Sequence, residues 1–131
     1  MKKKRILTGA FLVLVILSTL VYLGIDSKLR ELEKEISQIK IQEMDLSEIA
    51  DGIYIGEYAM NDFLGAKVEI EVKNNRIIDI HLIEHKHGKG KKGEEIVQRV
   101  LNSQQLQVDT ISGATGSSKV ILKAIEQGLI Q

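Results

Sequence analysis

The chain has 131 residues, no cysteine and no proline, and its eighteen basic and eighteen acidic side chains cancel. That length holds one small globular domain with accessory segments, and the lack of cysteine excludes disulfides, thiol catalysis, thiolate metal sites and lipid attachment at a cysteine. The neutral total hides an asymmetry: residues 1–25 carry four basic side chains and no acid, residues 26–51 carry four basic and eight acidic, and the remainder is balanced, so no field points at nucleic acid.

Lys2, Lys3, Lys4 and Arg5 precede Ile6 to Ile25, a run without a charge. Twenty helical residues cover the roughly 30 Å hydrocarbon layer of a bilayer, so this segment predicts a membrane-spanning helix. A cleaved signal peptide is the rival reading. The apolar run is longer than a usual signal core, and Leu23-Gly24-Ile25-Asp26 offers no small-residue cleavage site, which favours an uncleaved anchor. The basic cluster stays in the cytoplasm by the positive-inside rule, which places the chain beyond Ile25 on the extracytosolic side.

From Asp26 to about Gln42 the chain turns polar with a helical spacing of Leu29, Leu32, Ile36 and Ile39. Asp26 or Ser27 is the expected N-cap. The apolar seam is shorter than the three or four heptads of a coiled coil, so a stalk helix is favoured over one that pairs two chains. Met44 to Asp51 reads as a junction with a short helix begun at Ser47.

Strand signals begin after this junction. Ile53 to Ala59 is β-favouring, and Asn61 to Gly65 is a turn. Ala66, Val68, Ile70 and Val72 alternate with Lys67, Glu69, Glu71 and Lys73, the pattern of a half-buried strand. Asn74-Asn75 tolerates positive φ, and Arg76 to Glu84 returns as the second arm of a hairpin. Ile78, Ile80 and Leu82 are expected inward, with Ile77 and Ile83 on the opposite face under a helix or a ligand. Tyr54, Tyr58 and Phe63 can either pack the sheet or stack on a flat ring.

His85 to Gly93 is a basic, glycine-rich loop. It lacks the spacing of a Walker A loop, which sets nucleotide triphosphates aside. His81, His85 and His87 raise the question of a metal, but the sequence places no third strong ligand near them, and no metal is assigned. Glu94 and Glu95 suit the first turn of a helix with Ile96, Val97, Val100 and Leu101 on its apolar side.

The last feature is Val108 to Ser118, small and hydroxylated residues that run into the helical pattern Val120, Ile121, Ala124, Ile125 and Leu129. This is a loop feeding a helix, with Ser117 or Ser118 as a cap and Gly128 near the helix's C-terminus. The free N–H groups and positive end of such a helix attract an anion, and small residues let a ligand approach the backbone closely. The segments divide the chain into a basic tail and anchor (1–25), a helical stalk (26–50) and an α+β domain (51–131), an antiparallel sheet carrying helices.

Asp109-Thr110-Ile111-Ser112-Gly113-Ala114-Thr115 fits the D-x-x-[ST]-G-A-T pattern and resembles the FMN-binding domains found in the flavoprotein subunits of sodium-pumping NADH:quinone oxidoreductases and related electron-transport complexes. The similarity runs from about Asp51 to the end, and Asp51-Gly52 matches the family's Asp-Gly opening. The resemblance implies FMN joined by its phosphate to Thr115, through a flavin transferase that uses FAD and magnesium. It also implies that Gly113 and Ala114 keep the approach open, that Ser112 and the helix start with Gly116 and Ser117 bind phosphate oxygens, and that Asp109 orients the loop or is read by the transferase. His85 falls where larger members carry histidine; their Thr-Pro-Gly-like continuation is replaced here by His87-Gly88-Lys89-Gly90, closer to the small membrane-tethered members. His85 and His87, with the loop lysines, are expected near the FMN phosphate or the flavin edge. The function implied is electron relay outside the cytoplasm, with donor and acceptor open and a carrier favoured over a stand-alone enzyme. The alternatives are a non-covalent FMN-binding or sensing module and a cofactor-free, membrane-tethered interaction domain.

Overall fold

The computed structural model describes residues 1–130 as two compact units, one Met1–Glu35 and one from Ile36 onward. Helix α1 (Lys2–Gln38) runs unbroken through the apolar segment and into the polar one. Asp26 and Ser27 therefore lie inside the helix and cap nothing: Asp26 pairs with Arg30 at 2.8 Å, and the Ser27 hydroxyl donates to the Gly24 carbonyl. The side chains of Phe11, Leu12, Leu14 and Leu17 are more than half exposed. Among the described residues this is the one helix long and apolar enough to cross a membrane.

In the second unit, β1 (Gly52–Asn61), β2 (Leu64–Lys73) and β3 (Arg76–Lys86) form an antiparallel meander in the order β1-β2-β3. Side-chain chemistry closes both turns. The Asn61 carboxamide oxygen accepts the Phe63 N–H at 2.9 Å, and Asn74 and Asn75 adopt φ of 52° and 60°, the left-handed values a two-residue hairpin needs.

The inner face carries Val68, Ile70 and Val72 in β2 as the alternation predicts, but β3 departs from it. Register shifts fall between Glu71 and Val72 and between Lys67 and Val68, so β3 holds two extra residues opposite β2. The first bulge turns Ile77 inward, 2 % exposed, and Ile78 outward, 47 % exposed, the reverse of a strict period of two. Ile80 stays inside, and Ile83 is 48 % exposed.

Helix α3 (Thr115–Leu129) lies across β1 and β2, and α2 (Ile96–Ser103) packs on β3, continuing from a tight helical turn over Lys91–Glu95. Val120, Ile121, Ala124 and Ile125 of α3 close the core. The helix approaches β1 at a pair of glycines. A Cβ on Gly56 would sit 1.9 Å from the Ala124 carbonyl oxygen, and one on Gly128 would meet Ile70 at 2.8 Å and the Gly56 nitrogen at 2.9 Å. Gly128 thus belongs to this contact and not to a helix cap.

Residues 36–42, which belong to the second unit, are held by the same helix. Ile39, expected in a stalk seam, is 8 % exposed in the core, and the Ile36 side chain lies against Gly116. Lys119 Nζ donates to the carbonyls of Ile36 and Ile39, Lys123 to that of Lys40, and the buried Glu126 carboxylate accepts the Gln42 N–H at 2.9 Å. The α3 lysines thereby add donors to backbone carbonyls at and just beyond the end of α1.

Candidate functional site

Four segments meet at one end of the second unit: the β1–β2 turn, the end of β3, the glycine-rich loop and the start of α3. Leu64 packs on Gly116, Ala66 pairs with His85 across the sheet, and Gly90 and Gly93 lie against Ser117.

The motif forms a hydrogen-bonded turn ahead of α3. Ala114 N–H donates to the Ile111 carbonyl, and Gly113 between them has φ of 78°, a left-handed value that favours glycine, with nothing within 4 Å of where a Cβ would stand. Thr115 is the first helical residue and is exposed, as is Ser112. Ala114 is 5 % exposed and part of the core.

Neither serine caps the helix. Ala114 occupies the N-cap position with no side-chain bond, which leaves the first turn of N–H groups without a side-chain acceptor. Ser118, fully buried, instead ties the turn together: its Oγ accepts the Ile111 N–H at 3.0 Å and donates to the Ala114 carbonyl at 2.9 Å. Ser117 is 2 % exposed and its Oγ has no partner among the described residues. Asp109 has an exposed side chain, and its carbonyl accepts from Arg99 Nη1 at 2.7 Å, which fastens the approach to the motif onto α2.

On the facing loop, His85 is almost wholly buried, its side chain 4 % exposed, and its Nδ1 stands 3.0 Å from Glu94 Oε1. His87 is half-buried, with Nδ1 donating to the Gly88 carbonyl at 2.9 Å, and the two imidazole centroids are 4.8 Å apart. Lys89, Lys91 and Lys92 are exposed, and His81 lies on the exposed face of β3 away from the pair. Of the three aromatic candidates, Tyr54 and Tyr58 pack partly buried on the core, whereas Phe63 at the β1–β2 turn is 80 % exposed.

Sequence reasoning did not find Ser118, Arg99 or Glu94 as structural partners of the site. The signal available was the run of small residues at matching places, Gly90 and Gly93 against Ser117, which marks a close contact between loop and helix.

By fold the second unit is a small α+β domain, one helix laid over a three-stranded antiparallel sheet and a second at its edge. Residues 63–130 match the family profile of the FMN-binding domain, over half of the chain, and the chain belongs to that family. Its cofactor is FMN. No individually curated protein matches the chain. The start of α3 fits a phosphate-bearing group: uncapped N–H groups, a positive dipole end, two exposed hydroxyls and an open space beside Gly113.

Proposed function

We propose that the chain is a membrane-anchored, extracytosolic electron-transfer protein whose FMN is held by a phosphoester to Thr115. Exposure of the Thr115 hydroxyl at an uncapped helix start, inside the segment that matches the FMN-binding domain, is the observation that carries the reading. Ser112 and the first N–H groups of α3 bind the phosphate oxygens, and Asp109 lies on the exposed rim where a transferase can reach it. Phe63 offers an aromatic face to the isoalloxazine ring. The flavin supplies the redox chemistry when bound, and a phosphoester leaves its ring system unaltered.

The partner in maturation is a flavin transferase that uses FAD and magnesium. The Thr115 oxygen bonds to the phosphorus that carries the flavin, the pyrophosphate bond of FAD breaks, AMP leaves, and the hydroxyl proton is released. The apolar part of α1 anchors the chain, with Lys2 to Arg5 on the cytoplasmic side. A covalent link has a physical reason in that setting, because outside the cytoplasm no FMN pool replaces a cofactor that dissociates.

Intact mass and in-gel fluorescence of the full chain, co-expressed with the transferase, test the linkage. The wild-type chain should gain the mass of FMN less one water, and Thr115→Ala should gain nothing. An unmodified wild-type mass overturns covalent attachment, and colour that survives Thr115→Ala but not denaturation indicates non-covalent binding. The absence of native cysteine makes the topology test simple: an introduced Glu43→Cys should react with a membrane-impermeant maleimide applied to intact cells. Labelling only after lysis would reverse the assigned sidedness.

A further inference from the structure

The histidines of the glycine-rich loop acquire a third partner that the sequence did not place beside them. One ring nitrogen each from His85 and His87 and one carboxylate oxygen of Glu94 all lie within 4.8 Å of one another. His85 Nδ1 and Glu94 Oε1 are already 3.0 Å apart, close to the roughly 3.3 Å between ligands on a tetrahedral ion with bonds of about 2.0–2.1 Å. We propose that His85, His87 and Glu94 form a binding site for a borderline divalent transition metal such as zinc, cobalt or nickel, with water completing the coordination.

Each imidazole is oriented as a ligand needs to be. A carbonyl only accepts, so His87 Nδ1 carries the hydrogen in its bond to Gly88, and the lone pair of the neutral ring falls on Nε2. Metal-bound histidines are held in this way, one ring nitrogen donating to a carbonyl or carboxylate while the other binds the ion. His85 offers two routes to the same end: Nδ1 faces the Glu94 carboxylate, and Nε2 is buried with no partner in the protein. A buried polar atom without a partner costs about 1–3 kcal/mol, and an ion bound at His85 Nε2, with Nδ1–H donating to Glu94, offsets that penalty, whereas an ion bound at Nδ1 makes the 3.0 Å contact with Glu94 a ligand pair instead.

The donor set of two imidazoles and one carboxylate selects borderline metals over calcium or magnesium, which prefer all-oxygen shells. His87 and Glu94 are each partly exposed, so an ion has an entry path from solvent. Lys89, Lys91 and Lys92 stand at the surface of the same loop, where water and salt screen their charge. The site uses none of the motif from Asp109 to Thr115, and the proposal is independent of flavin attachment.

Isothermal titration of cobalt(II) and zinc(II) into the untagged full chain in detergent, expressed without a flavin transferase, tests the site. One ion should bind per chain, and cobalt should give visible d–d bands of a low-coordinate nitrogen–oxygen site. His87→Ala and Glu94→Gln should each weaken binding by about 100-fold or more, at or above the upper range for loss of an outer-shell contact. His81→Ala is the control and should leave binding unchanged, since that side chain lies outside the cluster. His87 is partly exposed, and tyrosine fluorescence establishes that its variant is folded. Binding that is absent, that survives both cluster variants, or that falls equally in His81→Ala overturns the proposal.

Discussion

Helix α3 has two ends made in opposite ways. At its C-terminal half the backbone touches the sheet, and Gly56 and Gly128 are required because no Cβ has room there. At its N-terminus Gly113 has open space around it and is required for its left-handed φ alone. One end is closed by packing and the other is held open by backbone geometry. A site needs both: the closed end fixes the helix, and the fixed helix presents the exposed Thr115 at its start, beside the exposed Ser112 of the preceding turn.

The same substitution at the two ends separates these causes. Gly56→Ala should have the largest effect, because its new methyl would meet the Ala124 carbonyl at 1.9 Å and neither backbone can yield without displacing the helix. A loss of more than about 3 kcal/mol is expected, beyond ordinary overpacking. Denaturant unfolding of the full chain in detergent, followed by tyrosine fluorescence, measures it. Wild-type stability in that variant would mean that α3 does not approach β1 so closely.

Glu126→Ala comes next. Its carboxylate is 1 % exposed, receives the Gln42 N–H and lies 2.6 Å from Lys123 Nζ, itself mostly covered. Removing one partner of a buried pair leaves the other uncompensated, and about 3 kcal/mol should be lost. The site end should still accept flavin in the folded fraction, because Glu126 reaches residues 40–42 and not the motif.

Ser118→Ala moves the comparison to the open end. It strands the Ile111 N–H and removes the tie to the Ala114 carbonyl, a cost of about 2 kcal/mol. Flavin incorporation should also fall, although Thr115 is intact, because the turn that aims it is no longer fixed. Thr115→Ala should show the converse pattern, no incorporation with wild-type stability. Mass spectrometry and unfolding on the same two variants resolve positioning from attachment, and equal incorporation in Ser118→Ala and wild type would remove the positioning role.

The two ends also differed in how far the sequence disclosed them. The motif from Asp109 to Thr115 and the alternation of β2 were legible because each depends on local order: small residues in a turn, apolar residues two apart. The inward face of β3 was not, since Ile77 and Ile78 are equally apolar and a bulge, set by pairing with β2, decides between them. The cap failed for a related reason. Ser117 and Ser118 have capping chemistry, but the helix begins two and three residues earlier; burial commits the Ser118 hydroxyl to the turn and leaves the Ser117 hydroxyl without a partner among the described residues. Glu94 suited a helix start on local grounds; only the path of the loop brings it to His85.

Gly113→Ala is the finest probe of the open end. With nothing within 4 Å, the added methyl meets no neighbour, and only the strain of φ near 78° remains. A left-handed residue with a Cβ costs about 1–2 kcal/mol, a fraction of the loss expected at Gly56 for the same methyl. Gly113→Asn should recover part of it, because asparagine tolerates this conformation through local hydrogen bonding. If alanine and asparagine destabilise equally, space and not φ limits the position, and the two ends of α3 would be closed by the same cause. If asparagine recovers stability while flavin incorporation stays low, the missing Cβ also serves the approach of the phosphate, a second requirement that φ alone does not explain.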